Sequence, residues 1–193
     1  MSAIDELVAE LCPDGVEWKR LGDVCSRQKG MSITATKMKE IADSSSDVVV
    51  FGGGKTKVLA CREMLPNGNI IETPSVIVKS RGNIGFEYCE VPFTNKNELW
   101  SYSSASTDID IKYVYYYLEN NRTYFQEAAK LGKLPQISTG ATDNYELPVP
   151  PYEVQREIVR ILDSFAELEA ELDARKAQYA YYRDRLLDFP RKR

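Results

Sequence analysis

Histidine is absent from this 193-residue chain. That excludes every Ser-His and Cys-His nucleophilic mechanism. It also leaves a structural zinc site with only four thiols to draw on, Cys12, Cys25, Cys61 and Cys89, and no two of them have C-x-x-C spacing. Scattered thiols are a poor zinc framework. The expectation is therefore no metal and no cofactor, with reduced cysteines packed in or near the core. Long apolar runs are lacking too. Stretches such as Val48-Val49-Val50-Phe51 fall far short of the ~20 residues that cross a bilayer. The acidic opening Met1-Ser2-Ala3-Ile4-Asp5-Glu6 has neither the basic start nor the apolar stretch of a signal peptide. A soluble cytoplasmic protein without membrane contact is expected. Basic charge is not in excess: 25 Lys and Arg face 29 Asp and Glu, a net −4. Proteins that hold nucleic acid by its phosphates usually show a basic face, so such a face must here be local or come from a partner.

What is present reads as an ordinary globular chain, 43% hydrophobic and 28% charged, of one or two domains. Ile4, Leu7, Val8 and Leu11 mark one face of a short helix, which Pro13-Asp14-Gly15 should end. From about 16 to 105 the chain is strand-like. Val48–Phe51, Ser75–Val78 and Phe86–Val91 are rich in β-branched or aromatic residues, punctuated by Gly52-Gly53-Gly54, Pro66-Asn67-Gly68 and Gly82. A helix is predicted after Thr107 as cap, with Asp108 and Asp110 in its first turn. It should carry Ile111, Val114, Leu118 and Phe125 inward and stop at Gly132. A polar loop from Pro135 to Asn144 follows. Leu147-Pro148-Val149-Pro150-Pro151 then reads as an extended connector, because proline can neither continue a helix nor fill a central strand. The domain boundary is placed there.

Beyond it the pattern changes. Ile158, Ile161, Phe165, Leu168, Leu172, Arg175, Tyr179, Tyr182, Leu186 and Phe189 are spaced alternately three and four apart, a heptad seam with one charged layer at Arg175. No Gly or Pro interrupts residues 152–189. The helix should be roughly 55 Å long, and so narrow a seam calls for a partner helix rather than a broad core.

Three short motifs invite chemistry. Gly52-Gly53-Gly54-Lys55-Thr56 suggests a phosphate loop, but that motif needs glycine at position 49, which is valine. A strand end and Gly-rich turn carrying Lys55, Thr56 and Lys57 remains, able to touch a DNA backbone. Val149-Pro150-Pro151-Tyr152 has the look of the Asn/Asp-Pro-Pro-aromatic motif of DNA amino-methyltransferases. Valine cannot hydrogen-bond a target amino group, and no Gly-rich cofactor unit accompanies it. Lys79, Ser80, Arg81 and Asn83, in an exposed turn between strands, suit phosphate and base-edge contacts. Lys130, Lys133, Gln136, Ser138 and Thr139 form a second partly basic stretch. The cluster Tyr113, Tyr115, Tyr116 and Tyr117 reads as packing.

Leu147-Pro148-Val149-Pro150-Pro151-Tyr152-Glu153-Val154-Gln155-Arg156-Glu157-Ile158-Val159-Arg160-Ile161-Leu162-Asp163 resembles the proline-proline…Gln…Ile…Leu opening of the conserved helical region of type I restriction–modification specificity subunits. The segment Leu11–Val24 resembles their N-terminal segment. Val78–Gly85, with Pro92-Phe93-Thr94 behind it, resembles the centre of their target recognition domains. The resemblance implies a protein that is not itself an enzyme. Such subunits carry two recognition domains and two antiparallel helices, on which modification subunits that methylate adenine and ATP-driven restriction subunits dock. This chain has one domain and one helix.

The expectation is an α/β recognition domain of mixed sheet and helices over 1–150, then a long coiled-coil helix over 151–193. The function expected is recognition of double-stranded DNA at a bipartite site, directing methyltransferase and nuclease partners. Pairing would be with a second copy or another half-subunit. In a parallel homodimer Arg175 would face its own copy across a desolvated seam. In an antiparallel pair centred near residue 171 it faces Glu167, with Glu169 and Glu171 close by, and this favours the antiparallel register. A coiled-coil adaptor that assembles proteins without reading DNA is the second hypothesis, and a stand-alone methyltransferase the third.

Overall fold

The computed structural model describes residues 3–65, 70–129 and 134–189. Pro66-Asn67-Gly68, Lys130, Gly132 and Lys133, all of which figure in the readings above, lie outside the described residues, as do residues 1–2 and 190–193.

The first helix is α1, Ala3–Leu11. It is followed by β1, Glu17–Arg20, and the single turn α2, Leu21–Val24. Among the described residues the strands form three sheets. A four-stranded antiparallel sheet has β2 (Cys25–Lys29), β8 (Trp100–Ser104), β5 (Ser75–Lys79) and β6 (Gly85–Cys89) in that spatial order. A three-stranded sheet places β3 (Val48–Phe51) between β4 (Lys57–Ala60) and β7 (Phe93–Asn95). Its β3–β7 pair is parallel and its β3–β4 pair antiparallel, so the expected mixed α/β class holds.

Strand β5 is central and buried on both faces. Successive side chains alternate across a sheet. Val76 and Val78 accordingly join the large core under α4 (Ile111–Asn120) and α5 (Arg122–Ala128), while Ile77 packs on the opposite face with Phe51, Phe93 and Leu99. Helices thus cover one face of the four-stranded sheet and the smaller sheet covers the other. The chain passes between the two sheets just after β2. There Met31 N–H donates to the Asn95 carbonyl at 2.7 Å, and Gly30 lies against that backbone. A β-carbon on Gly30 would sit 2.3 Å from the Lys96 carbonyl oxygen and 2.4 Å from that of Asn95.

Several expectations need correction. Asp110, not Thr107, caps the helix after the strands. Its carboxylate accepts from Lys112 N–H at 2.8 Å and Tyr113 N–H at 3.3 Å, so α4 begins at Ile111. The helix does not run on unbroken, for Asn121 separates α4 from α5. Asparagine side chains compete for backbone groups and favour such breaks. The polar stretch before the prolines contains a short helix, α6, Thr139–Asp143. The strand-like region likewise holds a helix, α3, Ala35–Glu40, which Thr34 caps by accepting from Lys37 N–H. The proline segment is itself a strand, β9, Glu146–Val149, paired antiparallel with β1 so that Pro148 faces Trp18. In a two-stranded ribbon both strands are edges, and an edge can accommodate a residue with no N–H to give.

Cys25 and Cys89 are buried, Cys12 and Cys61 half-buried, and all four are free thiols. Burial pushes the Cys25 thiol up to about 12, so it stays protonated and packs as a small hydrophobe. No helix among the described residues is long and apolar enough to cross a membrane.

Candidate nucleic-acid interface and the projecting helix

The β3–β4 turn is tight: Gly52 N–H donates to the Thr56 carbonyl at 2.9 Å, and Thr56 N–H to that of Gly53 at 3.2 Å. It exposes Lys55, Thr56 and Lys57. The β5–β6 turn lies beside it. Gly82 there has φ +72°, a backbone state that side chains with a β-carbon rarely adopt. Lys55, Lys79 and Asn83 line one cleft of about 220 Å³ with Gly54, Phe86 and Arg122. The second polar stretch is laced to the same turn. Gly82 N–H donates to the Pro135 carbonyl at 2.9 Å and Ile137 N–H to the Ser80 carbonyl at 3.0 Å, and Arg81 bridges Gln136. Arg81, Asn83, Gln136 and Ser138 are all exposed. Segments some 50 and 80 residues apart in the chain thus form one surface.

Within that surface the cations are not equivalent. Glu87 is shared by Lys57 and by Lys79, the latter at 2.5 Å. Burial, then the neighbouring charges of Lys57 and Arg122, hold the Lys79 ammonium below its ordinary pKa. Arg122 is a strut. Its guanidinium donates to the Ile84 carbonyl at 2.9 Å and to Asn83 Oδ1 at 2.7 Å, and it pairs with Glu119 at 3.1 Å. Lys55 and Arg81 make no ion pair among the described residues, and the one carboxylate of Glu87 leaves the Lys57–Lys79 pair with a net positive charge. Ser80 is misplaced in the sequence reading as a DNA contact. It is 1% exposed, and its hydroxyl donates to the Glu98 carbonyl beneath the turn. Arg122 falls inside the single long helix that the sequence predicts, where nothing marks it as part of this surface. The consecutive Asn120 and Asn121 before it were the available signal of a break.

The last helix, α7, runs from Tyr152 to Leu187, 36 residues, so it ends short of the expected 151–193 and fills most of the stretch free of Gly and Pro, 152–189. Its root is seated on the domain. Val154 and Gln155 are buried, and Ile158 and Val159 pack against the main core. The tyrosines do pack, as expected. Tyr113 donates to the Pro148 carbonyl at 2.9 Å and Tyr116 to Asp163 at 2.6 Å. With Ile158 and Leu162 they also line a groove of about 620 Å³. Beyond Asp163 no side chain of the helix is buried. Phe165, Leu168, Leu172, Tyr179, Tyr182 and Leu186 stand between 50% and 69% exposed. Arg175 reaches Glu171 one turn back at 3.3 Å. That pair already offsets part of the like-charge cost of a parallel pairing.

The sequence signature of the family described as Type I restriction modification DNA specificity domain matches residues 13–178. The chain belongs to this family. Its type I relatives include the EcoR124I/EcoR124II specificity subunit of Escherichia coli, 31% identical over 202 residues that cover 98% of this chain and 48% of that protein. The EcoprrI specificity subunit of the same species is 26% identical, covering 90% of this chain and 50% of the relative. This type I specificity domain shares its fold with the S subunit of a type I restriction–modification system from M. genitalium, with a TM-score of 0.68 at 17% identity over 98% of this chain and 50% of that one. The HsdS subunit from Thermoanaerobacter tengcongensis gives 0.64 at 22% identity, covering 95% and 47%. The chain spans about half the length of the relatives it matches.

Proposed function

We propose that this chain recognises a DNA sequence as one half of a type I specificity assembly, working in the cytoplasm. The observation that carries this reading is the merging of the 52–57, 79–83 and 134–138 segments into one surface, on which Lys55 and Arg81 have no ion-pair partner among the described residues. Residues 1–150 form the recognition domain, and the segment from 151 onward, which carries α7 over Tyr152–Leu187, joins a second copy or another half-subunit. The chain does no catalysis and needs no cofactor. A modification subunit supplies adenine methylation, and a restriction subunit supplies translocation and cleavage. Mobility shift with random-sequence selection, with and without the modification subunit, tests this. Enrichment of a defined sequence is expected, and binding without any preference would favour the adaptor.

Charge compensation grades the expected contacts. Arg81→Ala and Lys55→Ala should each weaken binding and lower the salt slope by about one. Lys79→Ala should do less, because Lys79 is partly buried and already held by Glu87, which it shares with Lys57. Equal losses at all three positions, or none, would count against the site.

If two identical domains pair antiparallel, a two-fold axis relates them. They then read the same short sequence on opposite strands. Adenine methylation mapped on DNA modified by the reconstituted complex should show an inverted repeat around an unread spacer. Direct repeats or one continuous site would contradict the antiparallel arrangement.

A further inference from the structure

Gln155 is fully buried, and every hydrogen-bonding group of its amide is used. Its oxygen accepts from Asp110 N–H at 2.9 Å, and its nitrogen donates to the Asp108 carbonyl at 2.9 Å and the Pro150 carbonyl at 2.8 Å. Asp110 is the cap of α4, so this first clamp holds the start of that helix. A second clamp lies two turns along α7. Asp163 accepts from Lys112 Nζ at 2.8 Å and from Tyr116 hydroxyl at 2.6 Å, both half-buried residues of α4. The two clamps are about 12 Å apart along α7. One clamp leaves a pivot; two, separated along the axis, remove it.

The geometry matters because α7 is a lever. From Asp163 to Leu187 it extends about 36 Å without a buried side chain. A swing of about 10° at the root would move its tip by about 6 Å, close to two base pairs at ~3.4 Å each. A specificity assembly that must place two recognition surfaces on one duplex cannot tolerate that play without losing its spacing.

Building on the DNA-recognition reading above, we propose that the Gln155 and Asp163 clamps are positioning elements that set the length of the unread spacer between half-sites. They touch no base. They fix the angle between the recognition domain and the helix that joins it to its partner, and so discriminate between sites whose half-sequences are identical but differently spaced. Gln155 supplies the fixed point. The partly exposed Asp163 supplies the angular restraint and can be altered with little risk to folding.

The test uses the full chain reconstituted with its modification subunit, on a DNA library holding the two selected half-sites apart by every spacer length. The wild type should methylate one length almost alone. Asp163→Ala and the double variant Lys112→Ala/Tyr116→Phe should spread methylation about two base pairs to either side of that length, leaving the half-site sequences and the binding to an isolated half-site unchanged. Asp163→Glu, which keeps the carboxylate, should restore part of the discrimination. Variants that keep the wild-type spacer profile would overturn the proposal. So would a wild type that reads both half-sites with no spacer preference, though DNA recognition would then stand. A wild type indifferent to DNA sequence would instead bring down the functional reading, and the clamp's role with it.

Discussion

Leu168→Glu combined with Leu172→Glu should leave the protein monomeric at concentrations where the wild type sediments as a dimer. Both leucines lie on the seam of α7, 60% and 54% exposed in the single chain, and neither contributes to the core of the recognition domain. In a helix pair they would be desolvated, and a glutamate there would be buried without a cation opposite. Breaking an apolar seam in this way costs several kcal/mol, enough to shift a dissociation constant by some orders of magnitude. The variant should remain folded, because Val154, Gln155, Ile158 and Val159, which seat the root, are untouched. An unchanged dimer in sedimentation, or a wild type that stays monomeric when concentrated, would remove α7 from the interface.

Gly30→Ala should be the most damaging single substitution in the domain. The added carbon would meet two backbone carbonyl oxygens at 2.3 and 2.4 Å, and backbone cannot yield as a flexible side-chain end can. Relief requires the chain to draw away from residues 95–96. That sacrifices the hydrogen bonds from Met31 N–H to Asn95 and from Asn97 N–H to Met31, at 2.7 and 2.8 Å, and loosens the junction of the two sheets. A loss of about 4 kcal/mol or more, or failure to fold, is expected. Gly53→Ala is the control, since its new carbon would meet only the tip of Glu98 at 3.3 Å. Urea denaturation of both variants decides the matter, and a Gly30 variant as stable as the Gly53 one would refute this account of the crossing.

The parts of this architecture that were legible in the sequence are those governed by local periodicity. Val48–Phe51 and the 36-residue helix announce themselves because β-branched runs and heptads leave a signature within a few residues. The likeness of 147–163 to specificity subunits came from the same compact kind of signal. The candidate surface was visible only as fragments. Lys55, Arg81 and Gln136 look alike as exposed polar residues, and nothing in their spacing says that the 134–138 segment returns to bridge the 79–83 turn. Ser80 was indistinguishable from its neighbours for the same reason: its burial depends on Glu98 and Ile137, which approach it only in the fold. Pro148 was read from its missing N–H as barring a central strand, correctly, but pairing with β1 as an edge is decided by residues more than 120 positions away. Gln155 stands inside the 147–163 motif, yet its three backbone partners could not be foreseen, because the sequence places Asp108 and Asp110 within a helical turn and not at the cap that meets it.

The β1–β9 ribbon, pairing Glu17–Arg20 with Glu146–Val149, has a consequence for how such a chain can change over time. It brings the two strands that bracket the intervening region side by side, next to the root of α7. Everything between them hangs from one fixed base. Insertions, deletions or wholesale replacement within residues 21–145 need not disturb the neck that carries the rod, provided the ribbon re-forms and the replacement keeps partners for Gln155 and Asp163. The chain is thereby divided into a conservative handle and an exchangeable head, and under the proposed function new head sequences can be tried without rebuilding the neck that carries α7.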